Sequence, residues 1–266
     1  MSRRLALGLA YRGQAYEGWQ SQPGGRTVQD RLERALAQFS QHPLRTVCAG
    51  RTDAGVHALN QVVHLDVPVE RTPFSWVRGV NRYLPPDIAV QWCRPVAPDF
   101  HARSSARGRR YRFLVLESAV RPAIEHGACG WVFRPLDGEA MRAAAACLVG
   151  EHDFSSFRAA ACQARSPVKT MRAITIAQRG APMARYWRFD FDASAFLHHM
   201  VRNIVGCLVA VGAGRQAPGW MAEVLAARRR DAAAPTFPPD GLYFVGPYYD
   251  AEHGIPEHTP AMEWLP

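Results

Sequence analysis

The segment from Ala49 to Ala58 places an arginine, an aspartate and a histidine among small residues. A carboxylate such as that of Asp53 can act as a covalent nucleophile. Small residues around it let a ligand or a second stretch of backbone approach closely. A plain type I turn over residues 52–55 explains the same letters, because Gly55 would occupy its fourth position. Local chemistry alone favours the turn, so the longer pattern of the chain must decide between the two.

The spacing of apolar residues predicts the elements that surround this segment. Val28, Leu32, Leu36 and Phe39 recur on one face of a helix, and Thr27 is placed to cap it. A second helix is predicted to end before a pair of prolines, and the strands follow from alternation of period two. These elements are strands at 4–11, 46–49, 61–67 and 88–92 and a helix at 74–83.

The second half of the chain repeats this order of elements. Asp137 is predicted to cap a helix that runs to Leu148. Gly180 and Pro182 are turn residues between two paired strands. Pro218 suits the first turn of a later helix. The other predicted elements are strands at 110–116, 174–178, 186–192 and 242–248 and a helix at 196–212 that ends on glycine.

Both halves have β-α-β-β character, which predicts an α+β protein with two related sheets. The division between the halves is expected in the arginine-rich stretch from Ala97 to Arg109. We place the N-terminal α+β half, which carries the Asp53 loop, at residues 1–104 and the C-terminal half at 105–250. The proline-containing segment 251–266 is expected to be an irregular tail.

The chain has a formal net charge of +9, and all but Lys169 of its 32 basic residues are arginine. Genome composition explains that ratio equally well, but it does not explain the net charge, which favours an anionic partner. Four arginines crowd together at positions 103, 107, 109 and 110. We interpret them as phosphate contacts, because like charges repel unless an anion is near. A solvated strand edge is the alternative.

Several other classes of protein are excluded by the composition. No stretch approaches the ~18 apolar residues that span a bilayer, so no membrane association is expected. The six cysteines form no Cys-x-x-Cys pair, which gives no sign of a zinc site or a thioredoxin motif. Arg12 interrupts the N-terminal apolar run, and this indicates a first strand rather than a secretory signal. A cytoplasmic protein with reduced cysteines is expected.

Motifs along almost the whole chain resemble one family. Residues 50–58 read Gly-Arg-Thr-Asp-Ala-Gly-Val-His-Ala. The other pieces are Gly18-Trp19-Gln20, Thr27-Val28-Gln29, Phe100-His101-Ala102-Arg103, Arg110-Tyr111, residues 150–157, residues 196–203 and Gly241-Leu242. In this content and order the chain resembles the TruA family of tRNA pseudouridine synthases.

The resemblance implies both a reaction and a fold. Such enzymes isomerise uridine to pseudouridine at positions 38, 39 and 40 of the tRNA anticodon stem-loop. The glycosidic C–N bond breaks, the bound uracil turns, and a C–C bond forms, so neither a cofactor nor a metal is implied. The implied pseudouridine synthase fold has two RRM-like or ferredoxin-like α+β halves, whose mostly antiparallel sheets meet at a central active-site cleft. The expected partners are the anticodon arm of tRNA and a second copy of the chain in a homodimer.

The resemblance also carries roles onto single residues. Asp53 matches the catalytic aspartate, and Arg202 matches a guanidinium that keeps its pKa low. Tyr111 and Leu242, with Arg202, are implied to bind the substrate. A base paired inside a stem must be flipped out to react, and Arg51 matches the arginine that fills the vacated space. Two loops are implied to grip the RNA: Phe100, His101, Ala102, Arg103 and Ser104, and then Gln163, Ala164, Arg165, Ser166 and Pro167.

Some residues depart from that pattern or invite a different interpretation. Ser104 stands where phenylalanine commonly follows the arginine, which puts one stacking contact in doubt. His57 is interpreted as a structural hydrogen-bonder rather than a general base. His198 and His199 are expected on a helix about 100° apart, which argues against a metal pair.

Two other functions compete with this interpretation. A non-catalytic RNA-binding protein with RRM-like sheets would not need Asp53, but the conventional pattern of alternating RNP aromatics is missing. A hydrolase would pair Asp53 with Asp66 or Asp153 and act on a nucleoside or glycan. Its product would be a free base or sugar, whereas an isomerase releases nothing.

Overall fold

The computed structural model describes residues 3–181 and 184–257. The described residues form two compact units, the first made of 3–109 and 243–257 and the second of 110–181 and 184–242. No helix within these ranges is both long enough and apolar enough to cross a bilayer. Each unit combines strands with helices, and the predicted α+β class is confirmed.

The elements follow in chain order. The strands are β1 Arg3–Tyr11, β2 Val47–Cys48, β3 His57–Val67, β4 Ile88–Pro95, β5 Gly108–Glu117, β6 Gly130–Val132, β7 Gly150–Asp153, β8 Val168–Ala181, β9 Ala184–Ala193 and β10 Leu242–Tyr248. The helices are α1 Val28–Ser40, α2 Pro73–Asn81, α3 Gly138–Ala146, α4 Met200–Gly212 and α5 Trp220–Ala227. Single 3-10 turns lie at Gly13–Ala15, Ser155–Phe157, Arg230–Ala232 and Ala251–His253.

The first unit is built on strands in the order β4-β1-β3-β10. β1 runs antiparallel to both β3 and β4, with Leu5 opposite Leu65. β2 adds a short antiparallel pairing to β3. β10 is the last strand of the described residues, and it runs parallel to β3 with Tyr243 opposite His57. The segment that carries Asp53 therefore joins β2 to β3 inside this unit.

The second unit has strands in the order β5-β9-β8-β7. β8 and β9 form a long antiparallel hairpin, and β7 pairs antiparallel with β8. β6 runs parallel to β5. Helix α3 packs on α4, where Gly212 leaves room for the side chain of Met141. Paired strands mostly run antiparallel in both units, as the sequence predicts.

Local signals placed the first helix correctly. Thr27 caps α1 by accepting a hydrogen bond from the Asp30 N–H at 3.3 Å. Val28, Leu32 and Leu36 are fully buried on the predicted face. The helix ends at Gln41, whose φ of 63° lies in the left-handed region. Asp137 caps α3 in the same way, through the N–H groups of the first turn.

Several predicted boundaries are wrong, and each has a local cause. α4 begins at Met200 and not at Phe196, because His199 has a φ of 62° that no helix interior accommodates. α5 begins at Trp220, two residues after Pro218. β3 begins at His57 rather than at 61, and its buried residues continue without alternation. Gly180 lies within β8, and Pro182 lies outside the described residues.

One face of the first unit is covered by the segment that follows β10. The buried cluster there comprises Ala6, Ala49, Val62, Phe100 and Ala102, and Tyr249 and Ile255 pack against it. The Asn60 side chain donates a hydrogen bond to the Pro256 carbonyl at 3.3 Å. Within residues 249–257 the only regular element is the 3-10 turn at Ala251–His253, yet this stretch covers apolar surface beside β3.

His64 ties the loop after β4 to this face. Its Nδ1 accepts a hydrogen bond from the Ala102 N–H at 3.1 Å, and its ring lies 4.7 Å from that of His101. Burial lowers the pKa of His64 to about 4. The charges of His101 and Arg4 also lower this pKa, whereas the charge of Asp66 raises it. The imidazole is therefore neutral at physiological pH, which its acceptor role requires.

Replacing Thr27 with alanine removes the oxygen that caps α1. We expect the free energy of unfolding to fall by about 1–2 kcal/mol, measured by urea denaturation. Thr27→Ser keeps the hydroxyl and should lose less than half as much. Equal losses in both variants would show that the methyl group, and not the cap, stabilises this helix end.

The low pKa of His64 predicts acid sensitivity. An unfolded histidine titrates near pH 6.5, whereas the folded one resists protonation until about pH 4. This contribution to stability is therefore complete above pH 6.5 and is lost as the pH falls towards 4. Between pH 7 and pH 4.5 it amounts to about 2–3 kcal/mol.

His64→Gln tests this directly, because glutamine can still accept a hydrogen bond but does not titrate. Thermal melting should show a flatter loss of stability on acidification for the variant than for the wild type. Parallel curves from pH 7 to 4.5 would contradict the assignment.

Candidate active site

Asp53 is the first residue of a tight turn. The Val56 N–H donates to the Asp53 carbonyl at 3.2 Å, and Gly55 has a φ of +82°. Positive φ at the third position is the requirement of a type II turn. The turn thus spans residues 53–56, one residue later than the type I turn that the sequence suggests. Glycine is needed here for its backbone conformation, while the Asp53 side chain is half-buried and Arg51 is exposed.

The chain entering the turn is held by β3. The Ala49 N–H donates to the Val62 carbonyl at 2.8 Å. The buried Gln61 side chain donates to the Gly50 carbonyl at 2.5 Å and accepts from the Gly50 N–H at 3.4 Å. A side-chain amide that satisfies both backbone groups of one residue replaces a missing strand pairing. The backbone of residues 49–50, which leads into the Asp53 turn, is therefore held by hydrogen bonds as a β-strand would be.

Thr52 anchors the residue immediately before Asp53. Its carbonyl accepts a hydrogen bond from the Trp19 N–H at 3.0 Å, and its hydroxyl lies 2.8 Å from that of Tyr11. Burial raises the pKa of Tyr11 far above its ordinary value. Tyr11 consequently stays protonated, and its role is to hold Thr52. No pattern in the sequence indicates this role for Tyr11, which lies 41 positions away from Thr52.

Two glycines let separate backbones touch the turn. A Cβ on Gly18 would lie 2.7 Å from the Thr52 carbonyl oxygen, and Gly18 has a φ of +85°. A Cβ on Gly13 would lie 1.9 Å from the Val56 carbonyl oxygen. Neither position has space for a side chain. The motif that begins at Gly18 is thereby explained as a support for the Asp53 turn.

His57 closes the other side of the turn. Its Nδ1 accepts a hydrogen bond from the Gly13 N–H at 3.1 Å, and the residue is almost fully buried. Its ring stacks on Tyr243 with centroids 4.7 Å apart. The interpretation of His57 as a structural hydrogen-bonder is confirmed.

The first of the two loops expected to grip RNA divides into buried and outward residues. Phe100 and Ala102 are fully buried in the core of the first unit. Arg103 and Ser104 are exposed, and His101 is half-buried. The His101 Nδ1 accepts hydrogen bonds from the Arg103 and Ser104 N–H groups, each at 3.2 Å. The buried pair shapes the loop, and the other three residues are available at its surface.

Three of the four crowded arginines already have charged or carbonyl partners within the protein. Arg107 pairs with Asp250 at 2.7 Å, and Arg110 lies 3.3 Å from Asp192. Arg109 donates to the carbonyls of Ala49 and Arg103. The argument that they require an external anion is therefore wrong for Arg107, Arg109 and Arg110. Carboxylates and carbonyls from distant segments supply the compensation.

The residues expected to bind substrate from the second unit are well fixed there. The Tyr111 ring meets that of Phe196 edge-on, with centroids 5.0 Å apart. The Arg202 Nε donates to the Phe237 carbonyl at 2.9 Å, and the Phe237 N–H donates back to the Arg202 carbonyl. Leu242 is buried. The backbone and guanidinium of Arg202 are thus oriented by the backbone of Phe237.

The second loop expected to grip RNA, residues 163–167, has its own anchors. The Arg158 guanidinium donates to the Ala164 carbonyl at 3.0 Å, and the Phe154 N–H donates to the Pro167 carbonyl at 3.2 Å. Gln163, Arg165 and Ser166 are exposed. As in the first loop, some residues set its course and others face outwards.

The two adjacent histidines lie before α4 and not on it. Their rings are only 4.0 Å apart, because the left-handed backbone of His199 folds it back towards His198. The expectation of a 100° separation is therefore wrong.

The carboxylates of the hydrolase alternative are committed elsewhere. Asp66 binds both Nε and an Nη of Arg4 at 2.8 Å, and Asp153 accepts from the Ser155 N–H at 2.9 Å. These contacts lower the pKa of both carboxyls, whereas a glycosidase acid needs a raised pKa. Asp66 also lies at the far end of β3, about 30 Å along the strand from its start. Neither residue suits the second carboxylate of such a hydrolase.

Known proteins resemble the chain over nearly its full length. The family described as tRNA pseudouridine synthase matches residues 9–103 and 144–250. The protein named tRNA pseudouridine synthase A from Methylibium petroleiphilum is 73% identical over 99% of this chain and 100% of its own length. Those from Polaromonas naphthalenivorans and Paracidovorax citrulli are 66% and 65% identical with the same coverage.

A solved structure, the crystal structure of a Cbf5-Nop10-Gar1 complex, gives a TM-score of 0.33 at 9% identity, over 77% of this chain and 45% of that one. A likeness so slight carries no argument. The matches in sequence are decisive by themselves, because they combine high identity with full coverage. The chain belongs to the TruA family of tRNA pseudouridine synthases, and it is an isomerase.

Proposed function

We propose that the protein isomerises uridine to pseudouridine at positions 38, 39 and 40 of the tRNA anticodon stem-loop, with Asp53 as the nucleophile. The observation that carries the proposal is the turn at residues 53–56. Backbone contacts from Trp19, Gly18 and Gly13 hold it, so that the half-buried Asp53 carboxylate has a fixed base. A structure that fixes a carboxylate so closely suits covalent chemistry, where small displacements are costly.

The reaction balances without an external reagent. The glycosidic C–N bond of uridine breaks, the uracil rotates while bound, and a C–C bond to the same sugar carbon forms. A proton lost from the base carbon is matched by one gained at nitrogen. Asp53 must begin ionised whether it attacks the sugar, attacks the base or removes a sugar proton.

The target nucleotide has to leave its stem before Asp53 can reach it. We propose that the exposed Arg51 occupies the space that the flipped base vacates. Tyr111 offers an aromatic face for the uracil and a hydroxyl for a proton step. Leu242 contributes an apolar contact, and Arg202 a guanidinium that favours the ionised form of Asp53.

Contacts to the rest of the RNA are proposed for the outward residues of the two loops. In the first loop these are His101, Arg103 and Ser104, and in the second Gln163, Arg165 and Ser166. Phe100, Ala102, Ala164 and Pro167 support the same contacts by setting the course of the backbone. The partner is the anticodon arm, the active form is a homodimer, and the cytoplasm is the compartment, where tRNA is the available substrate.

Asp53→Asn keeps the size of the side chain and removes its charge. We expect the variant to fold and to bind unmodified tRNA, because the turn is held by backbone contacts. It should lose isomerisation by at least about three orders of magnitude, as for other covalent nucleophiles. Chemical derivatisation and primer extension of the treated tRNA would map pseudouridine at positions 38 to 40.

Asp66→Asn is the matched control, because Asp66 lies in the same unit but pairs with Arg4. It should retain isomerisation. If the wild type leaves positions 38 to 40 unmodified while binding tRNA tightly, the protein is an RNA binder and the proposal fails. Release of free uracil would instead point to a hydrolase.

Gly18→Ala should damage catalysis without removing any functional group. The new Cβ would push on the Thr52 carbonyl at 2.7 Å and displace Asp53. We expect kcat to fall about tenfold to a hundredfold, with a smaller change in the Kd for tRNA.

Gly25→Ala controls for backbone strain in that experiment. Gly25 also has a positive φ, +65°, but a Cβ there would meet nothing within 4 Å. Gly25→Ala should lose about 1–2 kcal/mol of stability from strain alone. Gly18→Ala should lose more, because its Cβ also collides with the Thr52 carbonyl, and only Gly18→Ala should lose activity. Equal kinetic defects would mean that strain, and not displacement of the turn, is responsible.

A further inference from the structure

An exposed stripe of arginines runs along α2, on the side away from the sheet of the first unit. Arg78 and Arg82 follow Phe74 at intervals of four residues, so the three side chains share one side of the helix. Trp76 and Val80 occupy the opposite side and are buried. Arg71 lies two residues before the helix and is also exposed. We call Arg71, Arg78, Arg82 and Phe74 the α2 stripe.

The stripe carries charge that the first unit does not neutralise. Within the described ranges, none of its three guanidinium groups forms an ion pair, in contrast to Arg107 and Arg110. The nearest acid in sequence, Glu70, pairs with Arg3. The first turn of α2 contains no acidic residue. Three like charges held over roughly 15 Å of surface favour an anion that is itself extended.

Aromatic rings orient two of these guanidinium groups. Arg78 lies over the ring of Phe74 at 5.5 Å, and Arg71 lies over the ring of Phe39 at 4.7 Å. Phe74 is 68% exposed and Tyr83, just beyond the stripe, is 45% exposed. Stacking on a ring reduces the freedom that an arginine side chain would lose on binding. Arginines that only face solvent have no need of aromatic rings that hold their guanidinium groups in place.

The stripe ends at the same edge of the first unit as the Asp53 turn. The Asn81 side chain exchanges two hydrogen bonds of 2.8 Å with Val90, which fastens the end of α2 to β4. β4 begins at Ile88, opposite Tyr11, and Tyr11 contacts Thr52 beside Asp53. The end of α2 and the Asp53 turn are thus connected through β4 and β1, and we infer that one extended molecule reaches both.

We propose that the α2 stripe binds the phosphate backbone of the substrate tRNA outside the target nucleotide. The proposal rests on the proposed function, since the tRNA is the molecule already brought to Asp53. Arginine forks match pairs of phosphate oxygens, and a row of them follows a backbone without reading its sequence. This contact would serve different tRNAs equally, because every tRNA presents the same repeating charge.

The test compares two triple variants with the same change in net charge. The stripe variant is Arg71→Gln, Arg78→Gln and Arg82→Gln. The control is Arg94→Gln, Arg121→Gln and Arg179→Gln, which are exposed arginines elsewhere. The Kd for unmodified tRNA is measured from low to moderate salt, and steady-state kinetics are measured on the same tRNA. Thermal melting confirms that both variants fold.

We expect the stripe variant to bind about tenfold or more weakly at moderate salt. The logarithm of the association constant decreases with the logarithm of the salt concentration, and the magnitude of this slope should become smaller by about two to three. Each lost phosphate contact removes roughly 0.7–0.9 from that magnitude. The loss should appear in KM. The control variant should lose less than one third as much affinity and salt slope as the stripe variant loses relative to the wild type.

A stripe variant with the same Kd and salt slope as the control would overturn the inference. That outcome leaves the proposed function intact, because wild-type pseudouridine formation at positions 38 to 40 is scored separately. Conversely, the stripe variant could show the smaller salt slope while the wild type modifies positions other than 38 to 40. That outcome would support the α2 stripe and contradict the assigned positions.

Discussion

The geometry around Asp53 depends on one backbone contact, in which Gly18 and Trp19 lie directly against Thr52. The same two residues accept hydrogen bonds from the first N–H groups of α1, Val28 to the Gly18 carbonyl and Gln29 to the Trp19 carbonyl, each at 3.1 Å. Those N–H groups have no partner inside a helix. The start of α1, the segment before it and the turn at 53–56 thus form one hydrogen-bonded assembly, in which a shift of one part moves the others.

Arginine has two distinct uses in this chain. Within each unit, arginines join strands through carboxylates, as in the pairs Arg4–Asp66 and Arg112–Asp190. Each ion pair requires both of its charged groups, and removing these groups from water costs little free energy where solvent still reaches them. The α2 stripe is the opposite case, because its charges face outwards without carboxylates. A high arginine content therefore says little by itself, and the positions of the acidic residues decide what each arginine can bind.

The sequence predicts features that arise from neighbours along the chain. Thr27 and Asp137 were identifiable as caps because a cap bonds to N–H groups two or three residues ahead. The sequence predicts the turn at residues 52–55, one residue before its position in the structure, because Trp19 and Tyr11, which hold Thr52, are distant in sequence. The pairing of Arg107 with Asp250 was unpredictable for the same reason, since the two residues lie 143 positions apart in sequence. Family motifs named Asp53, but only the coordinates explain why Gly18 accompanies it.

β10 has a consequence for the order in which the protein matures. Tyr243 stacks on His57, and Phe244 lies close to Gly50, so part of the support of the Asp53 turn comes from a strand far beyond it in sequence. During synthesis the ribosome releases the first unit's other strands long before this one. The nascent protein therefore carries Asp53 in an incomplete setting until β10 has been synthesised. An interrupted translation product would hold every residue of the signature and still lack the surface that keeps it in place.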